Sequence, residues 1–171
     1  MPYAVTHVLS TIIVADIIRD YLVKKKFSLY YVLIAGIAGL ISDIDVLIYW
    51  IINLFTYVPD IHRTFTHTVF LPLFFFILAF IVSKKAKIFK LNLKLVFLMI
   101  SLGLFMHLLL DSIISGYIMP LYPLFYTQIG LNLVQYLPIF IQDSLMPALD
   151  AVLLILWLLH EEIKHKISDF I

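Results

Sequence analysis

The chain has 171 residues, 63% of them hydrophobic and 13% charged, with a formal net charge of +1 and a mean hydropathy of +1.06. Soluble domains run to about half apolar and about a quarter charged, so a soluble globular protein is excluded. The chain also has no cysteine, which removes disulfides and thiolate metal ligands. Alternating apolar and polar strands are missing, so a transmembrane barrel is excluded too. The expectation is an all-α integral membrane protein, residues 1–171 forming one membrane-embedded helical domain of about five transmembrane helices.

Five segments approach the length of about twenty apolar residues that a span needs. The first, Ala4–Leu22, is the weakest, because it carries Asp16, Arg19 and Asp20. Its apolar run precedes its basic residues, the reverse of a cleaved signal peptide, so it reads as part of the mature chain. The others are Leu29–Leu54, Thr66–Val82, Leu93–Ile114 and Ser144–His160. The stretch Ser115–Asp143, rich in Tyr, Phe and Pro, reads as loops with an interfacial helix. Tyr117, Tyr122, Tyr126 and Tyr136 there suit an interfacial belt. No internal repeat is visible, which disfavours a secondary transporter.

Basic residues set the expected orientation. Arg19, Lys24, Lys25 and Lys26 follow the first segment, Lys84, Lys85, Lys87, Lys90 and Lys94 follow the third, and Lys164 and Lys166 follow the fifth. Eleven of the twelve basic residues thus fall on one side. The positive-inside rule makes that side the cytoplasm of an inner (plasma) membrane, with the N-terminus outside and the C-terminus inside. The exception is Arg63.

With this layout, seven candidate metal ligands from four segments converge on the outer side. His7 begins the first span, and His62 and His67 bracket the loop into the third. His107 and Asp111 lie in the outer half of the fourth, on one helix face at i and i+4. Asp43 and Asp45 lie roughly 21–24 Å from the cytoplasmic end of the second span at 1.5 Å per residue. Ionisable groups in a bilayer are costly and face a partner, a cavity or an ion. His107 and Asp111 alone could be a hydrogen-bonded pair, but with five further candidates at one depth a metal site is the better reading. His160 and His165 sit at the other end and are excluded from it.

Asp43 and Asp45 repel unless a cation or proton intervenes. On a regular helix they diverge by about 200°. Both ligate only if the helix loosens near Ser42; otherwise one binds metal and the other orients a histidine. Gly36 and Gly39 read as helix-packing residues. Thr66 is a candidate N-cap for the third helix. Arg63 reads either as a headgroup anchor or partner of Asp60, or as a catalytic fork for a phosphate beside the metal, and the second reading is preferred. Asp150 is a further ligand, a general base or a structural hydrogen-bond partner. Asp16, Arg19 and Asp20 read as an interfacial pairing, and Gln142 and Asp143 as the polar start of the last span.

Imidazole and carboxylate without thiolate suit a divalent metal, zinc first, then manganese or iron. Such an ion activates water and polarises a phosphoryl or carbonyl oxygen. The expected function is a metal-dependent hydrolase of a phosphoester or lipid-linked ester at the outer membrane face, with Arg63 and Asp45 as catalytic residues. The partners are the lipid bilayer and that substrate; no nucleic-acid motif is present. The alternatives are a metal or proton transporter, opposed by the apolar cytoplasmic halves of spans two to four, and a structural protein whose metal staples helices.

At these residues the sequence resembles the YdjM-like family of membrane-bound, metal-dependent hydrolases. The resemblance covers roughly residues 1–125. It rests on Thr6-His7, Asp43-x-Asp45, His62-Arg63-x-x-Thr66-His67-Thr68 and His107-x-x-x-Asp111. It implies a multi-span inner-membrane protein with His7, Asp43, Asp45, His62, His67, His107 and Asp111 as site residues. The His-x-x-x-Asp element is also similar to that of zinc-dependent phospholipase C enzymes. Ser42 and Thr64 depart from the family's usual Pro before the Asp pair and Gly after the Arg, without removing a ligand.

Overall fold

The structure, a computed structural model, describes residues 3–23, 27–58, 62–83, 85–114 and 116–167. Lys24, Lys25, Lys26, Asp60, Lys84 and Ser115 lie outside the described residues. Helix α1 spans Ala4–Ile17 and passes into a π-helical turn, Ile18–Val23. Helices α2 (Leu29–Ala38) and α3 (Ile44–Asn53) form one interrupted span. Helix α4 is Phe70–Ile81, α5 is Leu93–Ile113 and α6 is Ile139–His165. Leu29–Asn53, α5 and α6 are each long and apolar enough to cross a membrane.

The packing follows from small residues. In lipid there is no hydrophobic drive to bring helices together, so close backbone approach supplies much of the contact. Helix α2 is the centre, with α1 on one side and α5 on the other. A Cβ on Gly36 would lie 2.8 Å from Ile12 Cγ1 of α1, and one on Gly39 would lie 3.1 Å from the His7 carbonyl oxygen. Gly103 of α5 is pressed on the opposite side, where a Cβ would lie 2.7 Å from Ala38 Cβ and 2.8 Å from Gly39 N. The packing reading of Gly36 and Gly39 is thus what the fold shows. Gly103→Ala is expected to cost about 1–3 kcal/mol through overpacking, read as a lower thermal midpoint in detergent.

Two segments differ from the expected bounds. Helix α4 begins at Phe70 and not at Thr66, because residues 62–69 are drawn away to the Asp45 carboxylate described below. Thr66 is therefore no N-cap: Val69 holds that position, without a side-chain cap. Helix α4 packs along α5, where Ser101 Oγ donates to the Pro72 carbonyl at 2.8 Å. Helix α6 begins five residues before Ser144 and ends five after His160, so Gln142 and Asp143 lie in its first turns. Between α4 and α5 a short hairpin pairs Lys87–Ile88 (β1) with Leu91–Asn92 (β2), an element the charge pattern did not announce. Asn92 then caps α5, accepting from the Lys94 and Leu95 amides at 3.0 and 3.4 Å. The stretch 116–138 is loop, as its composition implies, but in place of the expected interfacial helix it has a four-residue 3-10 turn, Leu133–Tyr136.

Helix α6 lies mainly along α1, and polar contacts hold it there. Thr6 Oγ1 donates to Asp150, Trp157 Nε1 donates to Asp16 Oδ2 at 3.1 Å, and His160 Nε2 pairs with Asp20 Oδ2 at 2.9 Å. Among the described residues of α6 only Met146 is buried. Asp150 is thus a structural hydrogen-bond partner of α1.

Candidate metal centre

The break in the second span makes the site. Helix α2 ends at Gly39, and a single 3-10 turn, Ile41–Asp43, redirects the chain before α3. This is the loosening near Ser42 that lets both carboxylates face the bundle interior. Asp43 and Asp45 reach it from the turn and the start of α3, His7 from α1, and His62 and His67 from the loop before α4. His107 and Asp111 come from one face of α5. All seven expected residues meet here, and His7, His67, His107 and Asp111 are fully buried.

Hydrogen bonds fix where the imidazole protons sit. His107 Nδ1 lies 2.7 Å from the Gly39 carbonyl oxygen. A carbonyl only accepts, so Nδ1 carries the proton and Nε2 presents a lone pair. Thr66 Oγ1 donates to Asp45 Oδ2 at 2.7 Å, so toward His67 Nδ1, 3.0 Å away, it accepts. That places the His67 proton on Nδ1, and again leaves a lone pair on Nε2. These two lone pairs face each other, with His107 Nε2 3.1 Å from His67 Nε2.

Carboxylate oxygens flank the pair. Asp43 Oδ1 lies 3.4 Å from His107 Nε2 and 3.6 Å from His67 Nε2. Asp111 Oδ2 lies 3.4 Å from His67 Nε2 and 3.9 Å from His107 Nε2. Ligands about 2.0–2.1 Å from a zinc ion lie about 3.3–3.4 Å apart at tetrahedral angles. The two triangles share the His67–His107 edge; the Asp43 triangle has sides of 3.1, 3.4 and 3.6 Å, close to that, and the Asp111 triangle is wider on one side, at 3.9 Å. Four electron-rich atoms facing inward repel one another unless a cation lies between them. Asp43 Oδ1 makes no hydrogen bond among the described residues, and Asp111 Oδ2 has the Arg63 guanidinium beside it at 3.2 Å. The donor set therefore fits a divalent metal.

Further atoms extend the cluster. His7 stacks on His107 with ring centroids 3.9 Å apart, and its Nε2 lies 3.5 Å from Asp111 Oδ1. Neither His7 ring nitrogen has a hydrogen bond among the described residues, although the residue is fully buried. Two other triples, His7 with Asp43 and His107, and Asp43 with His62 and His67, also place their ligand atoms within 4.8 Å of one another.

Asp45 stands behind this front. Its Oδ1 accepts from His62 Nδ1 at 3.0 Å, and its Oδ2 accepts from Thr66 Oγ1 and from the Arg63 amide at 3.2 Å. It also lies 3.4 Å from His67 Nδ1. Asp45 thus takes the orienting part that the sequence left open, while Asp43 faces the imidazole Nε2 atoms. Thr66 is the residue that sequence reasoning misplaced: its hydroxyl joins Asp45 to His67. Supporting partners of this kind are worth about 10–100-fold in metal affinity. Thr66→Val is expected to weaken zinc binding within that range, measured by chelator competition.

Arg63 has φ of 61°, a left-handed conformation that is uncommon for arginine. That turn delivers its amide to Asp45 and its side chain inward. Its Nη2 lies 3.2 Å from Asp111 Oδ2, and its guanidinium rests against Gly116, where any Cβ would collide with it. Asp43, at 24% side-chain exposure, and Arg63, at 17%, mark the open side of an otherwise closed cluster.

A family model described as YdjM inner membrane protein matches residues 1–167. No curated protein and no solved structure matches the chain.

Proposed function

Since the chain belongs to the YdjM inner membrane protein family, we propose that it is a membrane-bound, metal-dependent hydrolase of a phosphoester or another lipid-linked ester. The observation that carries this is the pair of imidazole lone pairs, His67 Nε2 and His107 Nε2, 3.1 Å apart between the Asp43 and Asp111 carboxylates. Zinc suits the nitrogen and oxygen donors, with manganese or iron as substitutes. When bound, such an ion supplies Lewis acidity and a water of lowered pKa.

The chain's own residues do the rest. His67, His107, Asp43 and Asp111 hold the ion, with His7 behind Asp111 and His62 beside Asp43. Asp45 and Thr66 keep the His67 proton on Nδ1, and Asp45 keeps the His62 proton on its Nδ1, so Nε2 is presented in both. Gly39 does the same for His107. Arg63 lies at the open rim with a planar fork of donors, matched to a phosphoryl group. The buried walls exclude water on the remaining sides, which strengthens the charge interactions inside.

In this reading the cluster faces the outer side, with the N-terminus outside and the C-terminus in the cytoplasm, which the basic-residue bias supports. A lipid-linked substrate would then reach the Asp43–Arg63 side from the membrane surface. The test is release of inorganic phosphate from lipid phosphomonoesters and diphosphates by purified protein. Activity should disappear with chelator, return with zinc, and be lost in Asp111→Ala. Metal-loaded, folded protein that hydrolyses no ester of either class would contradict the reading.

A further inference from the structure

The far end of α1 carries a second cluster that the outer site does not use. Asp20, in the π turn, lies about 13 residues and roughly 20 Å along the helix axis from His7. His160 Nε2 and His165 Nε2, both from the end of α6, lie 2.9 and 3.1 Å from the same oxygen, Asp20 Oδ2. Arg19 spans the same carboxylate, with Nε 2.7 Å from Asp20 Oδ1 and Nη2 3.3 Å from Oδ2. The same guanidinium reaches Asp16 at 2.9 Å and Glu161 at 3.4 Å. Three carboxylates thus surround one arginine, leaving two negative charges beside two imidazoles.

His165 Nε2 stands between a donor and an acceptor. His165 Nε2 touches the Arg19 guanidinium, which only donates, and Asp20 Oδ2, which only accepts when ionised. A lone pair on Nε2 suits Arg19 but faces the carboxylate lone pair. A proton on Nε2 suits Asp20 but faces the arginine's N–H. An ion between Nε2 and Oδ2 gives both lone pairs one target and turns the Arg19 guanidinium away from Nε2. Arg19 keeps Oδ1, Asp16 and Glu161, and so holds Oδ2 in place as the ligand.

We infer that Asp20, His160 and His165 form a second divalent-metal site, taking a borderline transition ion such as zinc or nickel and clamping the end of α6 to α1. Two imidazoles and a carboxylate are the donor set such ions prefer. Their ligand atoms lie within 4.8 Å of one another. The present separations are a few tenths of an ångström shorter than the tetrahedral edge of about 3.3–3.4 Å. His165 is at the last residue of α6, with 38% side-chain exposure, and is placed to open by that amount. An ion there would add to the polar contacts that hold α6 on α1. This site stands independently of any reaction at the outer cluster.

Trp157 reports on it, because its Nε1 donates to Asp16, one of the Arg19 partners. The chain has two tryptophans, so Trp50→Phe leaves Trp157 as the single emitter. Untagged Trp50→Phe protein in detergent is titrated with Ni2+, which quenches nearby indole. Quenching is expected to saturate, and to need at least about tenfold more Ni2+ once His165→Ala or Asp20→Asn is added. His107→Ala, which weakens the competing cluster at the other end, should not weaken the quenching. His165→Ala alters an exposed helix end, so helicity by circular dichroism should match the parent. No saturable quenching in folded Trp50→Phe protein, or an identical curve in His165→Ala, would overturn the site.

Discussion

The His107→Ala protein is expected to bind zinc at the His67–His107 cluster at least about 100-fold more weakly than wild type, since removal of a mere supporting group already costs 10–100-fold. The imidazole is not replaceable by water in that position. Its Nδ1 is locked to the Gly39 carbonyl at 2.7 Å, so Nε2 is aimed without rotational freedom at the point that His67 Nε2, Asp43 Oδ1 and Asp111 Oδ2 also face. Losing it removes the edge shared by both ligand triangles and the ring on which His7 stacks. It also leaves the Gly39 carbonyl without its imidazole donor, at about 1–3 kcal/mol if nothing replaces it. The same logic predicts that chelator alone destabilises the wild type. A ligand at about 1,000 times its Kd adds roughly 4 kcal/mol, so chelation should lower the thermal midpoint of the wild type and hardly move that of His107→Ala. Zinc titration and thermal melts with and without chelator check both.

Arg63→Ala should lower turnover by roughly 100–1,000-fold, the usual loss when one donor to a developing anion is removed, while metal stays bound. The sign of the second part follows from charge. Arg63 Nη2 lies 3.2 Å from Asp111 Oδ2, so in the absence of an ion it competes for the same oxygen. Removing a positive charge beside a cation site strengthens cation binding. A metal that only staples helices would leave no turnover to lose, and the two readings separate on this variant. Arg63→Lys should restore only part of the rate, because an ammonium keeps the charge and loses the fork. Steady-state phosphate release with parallel elemental analysis is the measurement.

Much of the site was legible because its residue types do not belong in a bilayer. His107 and Asp111 at i and i+4 announced a polar face inside an apolar helix, and α5 presents both to the interior. Asp43 and Asp45 could not be assigned separate parts from spacing alone, since those parts depend on where the helix breaks. The break is a 3-10 turn after Gly39, and it turns Asp43 to the Nε2 atoms of His67 and His107 and Asp45 to the backs of His62 and His67. Thr66 was misread because Ser/Thr before an apolar run is the usual mark of a helix start. Its hydroxyl instead serves a carboxylate 21 residues away, which no local pattern encodes. The cluster of Asp20, His160 and His165 was hidden for a related reason: each residue, near a helix end, looks like an interfacial polar group until α6 is laid along α1.

The most direct measurement is elemental analysis of untagged, detergent-purified protein, prepared without chelator and offered zinc and manganese, beside His107→Ala and Asp111→Ala. The wild type should carry at least one more equivalent of divalent metal per chain than either variant. Folded wild-type protein with no more metal than His107→Ala would contradict the metal centre, and would leave His67, His107 and Asp111 as a buried polar network without an ion.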